Sequence, residues 1–182
     1  MRRDEPSSSH ERTPRSETAA DSERPVRPRG TAKDRALRLL GVRDRSRREL
    51  ERRLLRAGFD REEIDEALDA LMAAGLIDDE RFAAAVVEHA MTARPTGRRA
   101  VMTSLLSKGV DRGIAERALE RLEAGEHGRA EELAERHAAR MGGLDPAVAF
   151  RRLSSLLARR GFPPGLAYAA ARRALEVAET DG

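Results

Sequence analysis

The chain has no cysteine and no tryptophan, and its aromatic residues are four Phe and one Tyr. Without cysteine it can form neither a disulfide framework nor a thiolate metal site, which is typical of proteins in a reducing compartment. It also lacks a run of about 18 uncharged apolar residues, and its N-terminus has no apolar segment like that of a secretory signal peptide. We therefore expect a soluble, cytoplasmic protein that does not enter a membrane.

The sequence also lacks the short motifs of common enzymes, namely the P-loop, the Gly-rich dinucleotide-binding turn and the nucleophile elbow. Its four histidines show no i, i+3 or i, i+4 pairing, so the spacing of a helical metal site is missing. The acidic pair Asp78 and Asp79 stands at a predicted helix start, where N-capping explains it better than acid–base catalysis. We expect a protein that is not an enzyme and has no catalytic residues, cofactor or metal.

Residues 1–30 combine Ser, Pro and Thr with charges of both signs and contain almost nothing to bury. Such a composition cannot offset the entropy lost on ordering, so we predict a disordered N-terminal tail. From Ala32 onward, apolar residues recur three and four positions apart, and Gly and Pro fall between the segments. No stretch alternates with period two. The pattern predicts an all-α fold without strands.

Three segments of this helical part repeat one another. They superpose on Gly58, Gly109 and Gly161, which are 51 and 52 residues apart. Each glycine has a leucine four residues before it and an apolar residue directly after it. This is typical of a helix that ends at a C′ glycine with positive φ, followed by an apolar residue that folds back onto the helix.

Each of these helix pairs is preceded by one further predicted helix: Ala32–Leu40, Asp79–Met91, and Glu126–Met141, the last ended by Gly142 and Gly143. The unit is therefore a three-helix repeat, and we predict three tandem copies that form an elongated, curved array. The predicted boundaries are 31–77, 78–124 and 125–179.

Basic residues are concentrated around the middle helix of each repeat. Residues 146–175 contain six basic and no acidic residues, whereas residues 61–91 contain two basic and nine acidic residues. At 100° per residue, Arg48, Arg52 and Arg56 of the first middle helix lie 160–240° from Leu50 and so face away from its apolar side. Equivalent positions extend this basic stripe to the other repeats, and the candidate binding residues are Arg48, Arg52, Arg56, Arg98, Arg99, Arg151 and Arg159.

A guanidinium group engages phosphate or carboxylate bidentately, so the stripe suits a polyanion or an acidic protein groove. The alternative is a solvated face whose arginines pair with the acidic segments of neighbouring units. A DNA-binding helix-turn-helix fits poorly, because the helix after the first turn carries Arg61 against five acidic residues that phosphates would repel.

Several segments resemble the RecX family of regulatory proteins. GLIDDERFA (75–83), followed by TGRR (96–99) and LLSKGVD (105–111), is similar to the signature of that family's second repeat. The segment 32–59 resembles its first repeat, and the resemblance covers about residues 32–177. The resemblance implies three tandem three-helix repeats and a partner, the RecA recombinase and its filament on single-stranded DNA. Members of this family lie in the filament groove and inhibit strand exchange, ATP hydrolysis and filament growth, which limits recombination and SOS-type DNA repair.

Two other functions remain open at this point. One is a stand-alone nucleic-acid-binding helical repeat, with weak direct binding to single- or double-stranded DNA. The other is a structural adaptor for a different protein. In each case we expect a monomer.

Overall fold

The computed structural model describes residues 30–180, and it describes side chains as far as residue 178. The predicted tail, up to residue 29, lies outside the described residues. Within the described range the chain forms nine α-helices and no strand, so the predicted all-α class is confirmed. The helices are α1 (Ala32–Leu40), α2 (Arg47–Arg56), α3 (Arg61–Ala73), α4 (Asp79–Thr92), α5 (Arg98–Ser107), α6 (Arg112–Glu123), α7 (Glu126–Ala138), α8 (Pro146–Arg159) and α9 (Pro164–Thr180).

The buried apolar side chains form three separate clusters, and each cluster draws on three consecutive helices. Because each three-helix group has its own core, we propose the ranges 31–77, 78–124 and 125–179 as three units, called here the first, second and third unit. The central side chains are Leu50, Leu54 and Leu68 in the first unit, Leu105, Leu119 and Leu122 in the second, and Leu153, Leu157 and Phe162 in the third.

The middle helix of every unit ends in the same turn. Gly58, Gly109 and Gly161 have φ angles of 89°, 80° and 85°. In the first unit, the N–H of Gly58 donates to the carbonyl of Leu55 (3.0 Å), and the N–H of Phe59 donates to that of Leu54 (3.3 Å). The other two units repeat both bonds, which together define a Schellman motif. The predicted C′ glycines are therefore confirmed.

The first helix of the third unit is shorter than the sequence predicts, because α7 ends at Ala138 and not at Met141. After it, the N–H of Arg140 donates to the carbonyl of His137 (3.1 Å), and the N–H of Met141 donates to that of Ala138 (2.8 Å). These bonds span three residues and not four, so the chain has already tightened into a turn before Gly142.

Gly161→Ala should lower the free energy of unfolding more than Gly75→Ala. Both glycines have positive φ, 85° and 68°, so alanine costs about 1 kcal/mol of strain at either position. Nothing lies within 4 Å of a Cβ added at Gly75, whereas a Cβ at Gly161 would overlap Ala100 of the second unit. Such overpacking costs a further 1–3 kcal/mol or so. Urea unfolding followed by circular dichroism measures both losses, and equal losses would contradict a close contact at Gly161.

Candidate partner-binding surface

The middle helices α2, α5 and α8 abut end to end. At the first junction the hydroxyl of Ser46, the N-cap of α2, donates to the carbonyl of Lys108, the C-cap of α5, over 2.5 Å. At the second junction the N–H of Gly97, the N-cap of α5, donates to the carbonyl of Arg160, the C-cap of α8, over 2.8 Å. Each junction therefore joins the positive end of one helix macrodipole to the negative end of the next, which is favourable.

A carboxylate from the following unit completes each junction. The N–H of Arg47, the first residue of α2, donates to Oδ1 of Asp79 (2.9 Å). The N–H of Arg98, the first residue of α5, donates to Oε1 of Glu126 (2.7 Å). Asp79 and Glu126 are the first residues of α4 and α7. The first helix of one unit thus caps the middle helix of the unit before it.

The two residues of the pair Asp78 and Asp79 have different roles. Asp78 caps its own helix, as predicted, and its carboxylate accepts from the N–H of Arg81 (2.9 Å). Asp79 points away to the first junction, where burial raises the pKa of its carboxyl group. The signal for this role is that an acidic residue begins the first helix in both the second and the third unit, at Asp79 and at Glu126.

Glycine permits the close approach of the helix ends. A Cβ on Gly109 would overlap the side chain of Arg48, and a Cβ on Gly97 would overlap the backbone of Gly161. Any other residue at Gly97 or Gly109 would push the units apart. The spacing of the middle helices is therefore set at their ends and not by a shared core.

The predicted arginines lie along this row of helices. Arg52 spans the first junction, because its Nη2 donates to the carbonyl of Ser107 on α5 over 3.0 Å. The solvent-facing sides of α2 and α5 are therefore continuous at that point. Arg56 lies one turn further along α2, and its exposed guanidinium group makes no ion pair or hydrogen bond with the part of the chain that the structure describes.

Two of the seven candidates contact carboxylates of their own chain. Nη1 of Arg48 lies 2.9 Å from Oε2 of Glu51, although the Arg48 side chain is 64% exposed. Nε of Arg98 lies 3.1 Å from Oε1 of Glu123, at ion-pair distance but outside hydrogen-bond geometry, so Arg98 turns toward α6. The other five are exposed and have no carboxylate partner among residues 30–178: Arg52, Arg56, Arg99, Arg151 and Arg159. These five are called the arginine row below.

Several arginines outside the row pair with acidic residues on neighbouring helices. Arg47 contacts both Asp65 and Asp69 of α3, at 3.3 and 2.9 Å. Arg117 of α6 contacts Glu80 of α4 at 2.7 Å. Exposed pairs of this kind add little stability, but they remove local excess charge. The acidic segments thus neutralise other parts of the surface and leave the row positive.

The described residues hold no group of three or more His, Asp or Glu side chains that could bind a metal ion. None of their helices combines the length and the apolar character that a bilayer-spanning segment needs.

Family models match two of the three units. One described as "RecX, first three-helix domain" matches residues 32–71, and one described as "RecX, second three-helix domain" matches residues 78–119. The chain is 39% identical over 138 residues to the regulatory protein RecX of Amycolatopsis mediterranei, covering 75% of this chain and 79% of that protein. The chain belongs to the RecX family. It is also 35% identical over 173 residues to the regulatory protein RecX of Streptomyces coelicolor, covering 94% and 92% of the two chains.

Solved RecX structures share the fold. The crystal structure of RecX from Lactobacillus salivarius matches with a TM-score of 0.69 at 24% identity, over 80% of this chain and 95% of that chain. A second RecX crystal structure matches with the same TM-score at 21% identity, over 78% and 71% of the two chains. The family resemblance noted in the sequence is therefore confirmed, and the protein is a member of a family of regulatory proteins.

Asp79→Ala should destabilise the first junction of this RecX protein by about 0.5–2 kcal/mol, because the N–H of Arg47 loses its cap. Asp79→Asn should cost less, since an amide oxygen still accepts and no charge is buried. Urea unfolding gives the free energy, and hydrogen exchange of the Arg47 amide reports on the junction itself. Asp60→Ala is the matched control, because Asp60 is an N-cap without a side-chain hydrogen bond. An Arg47 amide that exchanges equally fast in Asp79→Ala and in the unmodified protein would contradict the assignment.

Proposed function

We propose that this RecX-family protein binds the RecA recombinase and its filament on single-stranded DNA, and that it inhibits strand exchange, ATP hydrolysis and filament growth. In this role it limits recombination and SOS-type DNA repair without catalysing a reaction, and it acts as a cytoplasmic monomer. The partner comes from the family resemblance. The structural observation that supports the mode of binding is the arginine row along α2, α5 and α8.

The dimensions of the row suit a long target. The three middle helices contain 10, 10 and 14 residues, so the row spans up to about 50 Å at 1.5 Å per residue. A filament presents the same acidic or phosphate-bearing surface repeatedly along its length. Several weak contacts on one ligand then act together, since the first contact raises the effective concentration of the others.

The junctions reduce the entropic cost of this binding. Hydrogen bonds from Ser46 and to Asp79 and Glu126 hold the helix ends together. The units therefore have little freedom of relative motion to lose when the partner binds. We assign the contact to all seven candidate arginines. The five of the arginine row contribute most, because no carboxylate of the described residues competes with the partner for them.

The same row also favours a second candidate function, direct binding of single-stranded nucleic acid with RecA incidental. Guanidinium groups at intervals along a helix are suited to phosphodiesters as well as to carboxylates. The two functions differ in what the protein recognises, namely a nucleoprotein filament or bare strands.

Arg52→Glu/Arg56→Glu should relieve inhibition of the DNA-dependent ATPase activity of RecA. Reversing two charges that have no carboxylate partner among the described residues removes two attractive contacts and adds repulsion, so the concentration for half-inhibition should rise about tenfold or more, equivalent to about 1.4 kcal/mol. The control with the same change in charge is Arg35→Glu/Arg61→Glu, which alters exposed arginines of α1 and α3. Full inhibition by folded Arg52→Glu/Arg56→Glu protein would remove the row from the mechanism.

Salt dependence separates the two candidate functions. If the protein binds bare single strands through their phosphates, log K should fall by about 0.7 per phosphate contact for each tenfold rise in salt concentration. We expect fluorescence anisotropy at near-physiological salt to show much tighter binding to RecA filaments than to the same oligonucleotide alone. Equal affinity for both would favour the stand-alone nucleic-acid-binding function.

A further inference from the structure

A small cavity lies between the second and third units, beside the second junction. Its volume is about 230 Å³. The second unit contributes the connection between α4 and α5, and the third unit contributes α7, the turn after it and the C-terminal end of α8. Its charged and titratable lining residues are Arg94, Arg136, Arg140, Arg160 and His137.

Few groups among the described residues neutralise these guanidinium groups. No carboxylate lines the cavity. Arg94 and Arg140 are exposed and have no ion pair or hydrogen bond from their side chains within residues 30–178. Arg136 reaches Glu132 only at 3.9 Å, and Nη1 of Arg160 donates to the carbonyl of Pro95 at 3.3 Å. Four like charges around one small space repel one another, so an anion placed among them would be favourable.

The fifth titratable group, His137, responds to the same surroundings. Burial lowers the pKa of its imidazole, and the charges of Arg140, Arg160 and Arg136 lower it further. At pH 7 the ring is therefore neutral and offers one donor and one acceptor. An anion in the cavity would offset the positive charges and raise the pKa of His137.

The chemistry of the lining selects the kind of anion. A tetrahedral phosphate presents several acceptor oxygens and up to two charges, which matches guanidinium donors contributed by both units. A carboxylate has two oxygens and one charge and would leave part of the lining unused. The volume is below the roughly 300–1,000 Å³ of sites for larger organic ligands, which suits a small group.

We propose that this cavity is a phosphate-binding site. The phosphate belongs either to a free small molecule or to the phosphodiester backbone of a nucleic acid strand. Arg94 comes from the second unit, and Arg136, Arg140 and Arg160 come from the third, so a bound phosphate would bridge the two units beside the second junction. The site does not depend on RecA and thus goes beyond the function proposed above.

Isothermal titration of the full chain with pyrophosphate tests the site. We expect saturable binding of one pyrophosphate per chain, weakened at least tenfold in Arg94→Ala/Arg140→Ala. Both residues are exposed and unpaired, so this variant should fold normally, which circular dichroism and the unfolding midpoint verify. Arg35→Ala/Arg61→Ala removes the same charge elsewhere and should bind like the unmodified protein. Binding that does not saturate, or that weakens equally in both variants, would overturn the proposal.

Proton NMR of the His137 ring gives an independent readout, with His137→Gln used to assign its signal. Saturating pyrophosphate should raise the pKa of His137, and an unchanged pKa would overturn the proposal. A second titration uses a short oligothymidylate that lacks terminal phosphates. If it displaces pyrophosphate, the site accepts phosphodiesters, and if it does not, the site is specific for free phosphate groups. Both results support a phosphate site and identify its source.

Discussion

The structure depends on hydrogen bonds between the ends of neighbouring middle helices. A helix terminus buried against protein leaves unpaired N–H or C=O groups, and each costs free energy unless it finds a partner. Here the N-terminus of α2 meets the C-terminus of α5. The carboxylate of Asp79 accepts from the N–H of Arg47, which no α5 carbonyl accepts. The second junction repeats this arrangement with Glu126. Since the three cores are separate, these polar contacts place the units relative to one another and thereby bring the exposed faces of the middle helices into one row.

Glycine has two roles in this arrangement. Positive φ at Gly109 and Gly161 ends the helix and buries the next apolar residue in its own unit. The missing side chain also lets the preceding middle helix approach, because a Cβ at either glycine would overlap Arg48 or Ala100. Gly58 has the same conformation and ends α2 in the same way. A single repeated residue therefore controls both the end of a helix and the contact between units.

The sequence predicts the local features and misses those that depend on neighbouring units. Helix positions, C′ glycines and the outward direction of Arg52 and Arg56 follow from periodicity along one helix. The pairing of Arg98 with Glu123 depends on how α5 packs against α6, and no spacing along the chain indicates it. No spacing along the chain indicates the cavity either, because its lining residues are as far apart in sequence as Arg94 and Arg160.

The placement of charge along the arginine row fits the proposed binding of a long partner through several weak contacts. Beyond about 8 Å at physiological salt, exposed charges are largely screened from one another, so arginines of the row that lie farther apart than this act almost independently. Their contributions add only if the junctions keep them in register with the target. Loosening a junction, as in Asp79→Ala, should then weaken binding even though every arginine is still present. In the proposed function, affinity therefore depends on capping residues that lie outside the arginine row.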